Sequence, residues 1–180
     1  MRIHYRLTVA MLFCCLVFAA CTPDPEKYFD VAVLNCNMIA DFGGFDRQLQ
    51  SPSSRLVAGT TDKIEQEKRI DVVSDKIQFV EDNLKKVKAL KETADTKDIL
   101  QSSIALHEYV LPIYQKEYKD LARLYDEGAP KEQVNAQAEA INNKYYERFD
   151  ELYKALTTAG KAYAAKHNIK VNWGIETSPE

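Results

Sequence analysis

The sequence predicts an all-α fold, an antiparallel four-helix up-down bundle with an N-terminal tether and a short extended C-terminal tail. Three observations carry this expectation. Apolar residues recur at steps of three and four along four long stretches, the period of a helix that buries one stripe. Gly and Pro fall between the stretches, where a chain turns. The connections between the second, third and fourth stretches are short, which makes those helices antiparallel neighbours.

The first helix is expected over residues 26–50, with Tyr28, Val31, Leu34, Met38, Phe42, Phe45 and Leu49 as its apolar stripe. Gly43 and Gly44 interrupt it at about 1 kcal/mol each against Ala, so a kink or break belongs there. Residues 51–60, with Pro52 and Gly59, read as a loop. The second helix is expected over 62–91. Its seam is Ile70, Val73, Ile77, Val80, Leu84 and Val87, and its Lys, Asp and Glu residues read as solvated faces. The third is expected over 98–126, with His107, Val110, Tyr114, Leu121 and Leu124 on one stripe. Pro112 lacks the N–H that would bond to the Glu108 carbonyl, so it kinks or interrupts this helix. Gly128 ends it and Pro130 starts the next. The fourth is expected over 131–166, from Val134 through Ile141, Phe149 and Leu156 to Tyr163. In the tail, Ile169, Val171, Trp173 and Ile175 alternate with polar residues and Gly174, the period of an extended strand. That face is expected to lie across the bundle, with Trp173 covering an open end or groove near the third helix or its neighbour.

At the N-terminus, Arg2 and Arg6 precede Leu7–Phe18, an apolar run of about 12 residues. A bilayer needs roughly 20, so the run fits the core of an export signal instead. Phe18, Ala19, Ala20 and Cys21 then resemble the lipobox of bacterial type II signal peptides. The resemblance covers residues 1–21 and departs at Phe18, where that family most often has Leu. It implies a lipoprotein: diacylglycerol on the Cys21 thiol, cleavage before Cys21, and a further acyl chain such as palmitate on the new amine. Thr22 follows Cys21 where Asp would retain the protein at the inner membrane, which implies the outer membrane if the cell has one. The segments Leu124 to Pro130 and Ala164 to Asn168 look like parts of uncharacterised helical surface lipoproteins of bacteria. An ordinary secretory signal would instead leave Cys21 a plain thiol. The expected organisation is a signal peptide (1–20), a lipidated cysteine and tether (21–27), a helical bundle (28–168) and the extended tail (169–180).

The chain carries 24 Lys and Arg against 27 Asp and Glu. Losing Arg2 and Arg6 with the signal leaves 22 against 27, a balance of −5. A mildly acidic domain gains little from a phosphate backbone, so nucleic acid is not an expected partner. Attachment to a membrane falls to the lipid, and two or more acyl chains anchor stably. Cys36 is the one other cysteine beyond the signal. With Cys21 lipidated it has no disulfide partner, and it reads as a small buried hydrophobe.

Neither catalytic residues nor a metal or cofactor is expected. A di-iron bundle needs Glu three residues before its histidines, where this chain has Ile104 and Ala164 before His107 and His167. The haem, P-loop, dinucleotide, EF-hand and serine-elbow motifs are also missing. The candidate binding residues are His107, Tyr114, Tyr118, Tyr145, Phe149 and Trp173. Of ten tyrosines, all but Tyr5 follow Cys21, and tyrosine suits half-buried seams and binding surfaces alike. Pairing of the third and fourth helices about Ala129 would set His107 beside Leu152 and Tyr153, and Tyr114 near Tyr145. The expected function is a lipid-anchored, non-enzymatic binding or structural module that engages a protein or glycan. The alternative is a small-molecule or cofactor binder with its pocket inside the bundle, near His107, Tyr114, Tyr145 and Phe149.

Overall fold

The computed structural model describes residues 24–173. Residues 1–23, where the export signal and the lipidated Cys21 are expected, lie outside the described residues, as do residues 174–180 with Ile175. The chain is mostly helical, as the periodicity predicts. Among the described residues, no helix is long and apolar enough to cross a membrane.

The first predicted helix is instead a broken path. Helix α1 runs Pro25–Ala32, two 3-10 turns follow at Leu34–Ile39 and Phe42–Gly44, and α2 runs Asp46–Gln50. Pro25 stands at the start of α1 behind Asp24, whose side chain accepts from the Glu26 N–H, so the expected tether is shorter than 21–27. The break comes as early as Val33, ahead of the glycines. Asn35 and Asn37 sit there, and their amides turn away from helix winding to Asn83 (2.7 Å) and the Tyr153 hydroxyl (3.2 Å). The tighter winding moves the stripe: Leu34 and Met38 are exposed, while Cys36 and Ile39 are buried.

The loop and the second helix also differ from expectation. Strands β1 (Ser54–Leu56) and β2 (Ile64–Gln66) form an antiparallel hairpin, with Leu56 opposite Ile64 and both side chains exposed. Helix α3 starts later, at Arg69, and runs to Ala89. Its start is set by a residue distant in sequence, because both Asp126 oxygens accept from the Arg69 and Ile70 N–H groups at 3.0 Å.

Helix α4 (Lys97–Ile113) continues through a π-turn at Tyr114–Tyr118 into α5 (Lys119–Asp126). The departure from α winding comes after Pro112 rather than at it. The wider turn stacks Tyr114 and Tyr118 at 5.1 Å and aims both into the core. Gly128, in the left-handed region, closes the end, with the Ala129 N–H reaching the Leu124 carbonyl. Helix α6 spans Lys131–Lys166, the bounds the sequence predicts. Contacts pair 69 with 126, 81 with 115 and 88 with 108, so numbers rise along α3 while they fall along its neighbour. Tyr109 bonds to Tyr145 and Asp95 to Lys166 and His167 in the same opposed sense.

A helix end or an irregular segment leaves carbonyls outside the regular ladder. Helix α3 reaches three of them at steps of seven. Asn83 Nδ2 donates to the Val31 carbonyl at the end of α1 (3.5 Å), Lys76 Nζ to Met38 in the first 3-10 turn (2.6 Å) and Arg69 Nε to Leu49 at the end of α2 (3.2 Å). Tyr118 donates its hydroxyl to the Phe42 carbonyl at 2.5 Å, beside the Phe45 N–H. Lys76 therefore does not stand on a solvated face. Its side chain is only 10% exposed, lies 5.1 Å from the Phe45 ring centre, and also meets Asp41 at 3.4 Å.

The tail leaves α6 through Asn168, which takes a positive φ of 56°. The Ile169 N–H then returns to the Ala164 carbonyl. Ile169, Val171 and Trp173 are half-buried while Lys170 and Asn172 are exposed, so the predicted alternation is present, although among the described residues no partner strand pairs with it. The docking place is the neighbour of the third helix, together with α1. Trp173 meets Phe29 of α1 edge-on at 5.8 Å and lies over Gly160 of α6. Gly160 is required there: a Cβ would come within 2.8 Å of Val33 and 3.3 Å of Trp173.

Two outcomes follow for stability. Lys76→Met removes the donor to the exposed Met38 carbonyl and the partner of Asp41, where water can substitute, and should cost about 1 kcal/mol or less, read by urea titration. Gly160→Ala overpacks the tail's seat, at a cost of about 1–3 kcal/mol, and should shift the emission of Trp173, the sole tryptophan, to the red.

Candidate functional site

The predicted site residues fall in separate places. His107 is fully buried on α4 in a chain of polar groups. Its Nδ1 lies 2.8 Å from the Ser103 carbonyl, which can only accept, so Nδ1 carries the proton. Nε2 then accepts from Asn83 Nδ2 at 2.8 Å, and Asn83 Oδ1 accepts from Asn35. The expected neighbours Leu152 and Tyr153 are not its hydrogen-bond partners. Burial holds the His107 pKa below its ordinary value.

Cys36 lies beside this chain, with Sγ 3.9 Å from His107 Nδ1, 3.7 Å from the Ser103 hydroxyl and 3.3 Å from the Ala32 carbonyl. The pair has the composition of a nucleophile and its base but not the arrangement. The facing ring nitrogen already bears a proton committed to Ser103, and burial pushes the thiol up to about 12. Cys36 is the buried thiol the sequence predicts.

Tyr114, Tyr118 and Phe149 lie in an aromatic core built on the broken segment. Phe42 stacks on Phe149 at 4.7 Å and meets both tyrosines edge-on at 5.7 Å. Phe45 meets the same tyrosines at 5.2 and 5.1 Å. These rings occupy the region between His107 and Phe149 where an internal pocket was the alternative expectation. The Tyr114 hydroxyl is buried there without a hydrogen-bond partner, and desolvation raises its pKa well above 10. Tyr145 does not reach Tyr114; its hydroxyl donates to Glu117 at 2.9 Å, and its carbonyl accepts from Tyr109. Trp173 is near the far end of α6, over a hollow of about 270 Å³ lined by Val33, Cys36, Asn37, Tyr153 and Leu156.

A larger opening contains residues the sequence reading passed over. A groove of about 620 Å³ separates the Gly43–Gly44 turn from the first turns of α6, with Tyr118 in its lining. The turn lets α6 come close, since a Cβ on Gly43 would run into the Tyr146 ring. Asn135, Glu139, Asn142 and Tyr146 line the α6 side; Asp41, Asp46 and Arg47 line the other. A readable signal existed: these α6 residues stand at steps of four, three and four, one helical face.

Among the described residues, no group of three or more His, Cys, Asp or Glu is placed to hold a metal ion. No known protein family, curated protein or solved structure matches the chain.

The neutral, desolvated His107 makes stability depend on pH. Its folded pKa lies below the ordinary 6.5, so between those two values the unfolded chain binds more protons. Stability contributed by this group is complete above 6.5 and falls as pH drops through that window. His107→Gln should remove this part of the acid sensitivity between pH 7 and 5, seen as a flatter profile of unfolding free energy.

Proposed function

We propose that the chain is a lipid-anchored cell-envelope protein that works as a non-enzymatic binding module. In this reading residues 1–20 are its signal, Cys21 its lipid site, and the helices an up-down antiparallel bundle whose first member is broken. The observation that carries it is the separation of two ends. Helix α1, which begins next to Asp24, meets Trp173 through Phe29 over Gly160 of α6, and Tyr28 bonds to the Lys91 carbonyl between α3 and α4. The groove lies on α6 around Asn142, 18 residues before Gly160, or about 27 Å along the helix. A lipid on Cys21, three residues before Asp24, would hold the Asp24 end at the membrane and leave the groove facing outward. The aromatic core filling the bundle between His107 and Phe149 favours surface binding over an internal pocket.

The test is Cys21→Ser in the native host. The wild-type membrane fraction should yield a mature chain beginning at Cys21 with added acyl mass, and the variant an uncleaved, unmodified precursor. A wild-type protein that begins at Cys21 without acyl mass sinks the anchored reading.

A further inference from the structure

We propose that the groove between the Gly43–Gly44 turn and α6 binds a saccharide, either neutral or amino-substituted; the inference rests on the binding-module reading and specifies its ligand. Asn135, Glu139, Asn142 and Tyr146 make one stripe along α6 about 16 Å long. Farther along the same helix, charged side chains pair locally, as Arg148 does with Glu151 and Lys154 with Asp150. The side chains of Asn135, Glu139 and Asn142, by contrast, make no hydrogen bond or ion pair among the described residues. Tyr146 keeps 44% of its surface exposed while its ring rests against Gly43.

A sugar ring has an apolar C–H face and a rim of hydroxyls that both donate and accept. The exposed tyrosine ring offers a surface for that face. The two amides can donate and accept at the rim, and the Glu139 carboxylate accepts. The stripe is long enough for several linked rings, and the groove beside it encloses about 620 Å³. Charge narrows the class. The walls carry Asp41, Asp46 and Glu139 against Arg47, and Lys76 pairs with Asp41, so the balance is one negative charge, which disfavours a phosphate or uronate and leaves a neutral or amino sugar unopposed. A peptide would need a free strand edge or apolar anchor pockets. The aliphatic side chains in the lining are only the methyl groups of Ala40 and Ala138.

Calorimetric titration of the full chain in detergent micelles, with three trisaccharides as probes, tests this. Chitotriose (neutral) and the glucosamine trimer (cationic) should bind saturably, and trigalacturonate (anionic) about tenfold more weakly or not at all. Tyr146→Ala should weaken both binders about tenfold and Tyr146→Phe far less. Glu139→Gln should weaken the glucosamine trimer more than chitotriose, since only the former loses a charge partner. Unaltered melting temperatures would show that the variants fold. The proposal is overturned if neither chitotriose nor the glucosamine trimer binds, if Tyr146→Ala and Asn142→Ala leave their binding intact, or if trigalacturonate binds best. A basic peptide that binds where the sugars do not overturns it too. The acyl mass at Cys21 is measured separately, so failure here leaves the anchoring result standing.

Discussion

Backbone carbonyls that no helix can satisfy govern this fold. Between Val33 and Gly44 the chain winds as 3-10 turns joined by irregular residues. Burying such a segment is unfavourable unless its polar groups find donors elsewhere. Lys76 supplies one to the Met38 carbonyl and the Tyr118 hydroxyl one to the Phe42 carbonyl, while Asn83 and Arg69, on the same line of α3 as Lys76, reach Val31 and Leu49 at the helix ends that flank the segment. The apolar seam of α3 can therefore close on a partner that is not a regular helix. Phe42 and Phe45 add rings that fill the volume a continuous helix would have occupied.

The same irregularity makes the groove. A glycine pair in a 3-10 turn presents bare backbone, and Tyr146 can lie against it. Had the first segment been a straight amphipathic helix, its polar face would have met α6 there and closed the opening. The His107 chain belongs to the same economy of donors and acceptors. Asn83 gives one amide hydrogen to His107 and lies within reach of the Val31 carbonyl, so the neutral histidine and the broken segment share one residue.

Helix α6 was readable to the residue because its stripe is uninterrupted and Gly128 and Pro130 mark its start. The first segment departs from the expected helix because 3–4 spacing is compatible with 3-10 winding over short runs, and Asn35 and Asn37 act through partners distant in sequence. The late start of α3 depends on Asp126, which no local pattern reveals. Polar residues at steps of seven on α3 resemble surface, and only their reach into the broken segment shows otherwise. Among the site residues, tyrosine count drew notice to Tyr114 and Tyr118, which the core absorbed. The α6 stripe passed unnoticed because Asn135 and Asn142 are unremarkable until a glycine turn is set opposite them.

The π-turn at Tyr114–Tyr118 has a consequence for how this chain tolerates changes in length. Such a turn holds one residue more than the α winding it replaces. The wider turn absorbs that extra residue, so removing it would restore regular winding and leave the residues downstream near their present phase. Leu121 and Ala122 would stay in the core, and Asp126 would still face the first N–H groups of α3. Removing one residue from the regular winding of α4 would instead turn everything after it by about 100°. The π-turn is thus a place where a single-codon deletion spares the pairing of α5 with α3 and disturbs only how Tyr114 and Tyr118 stack.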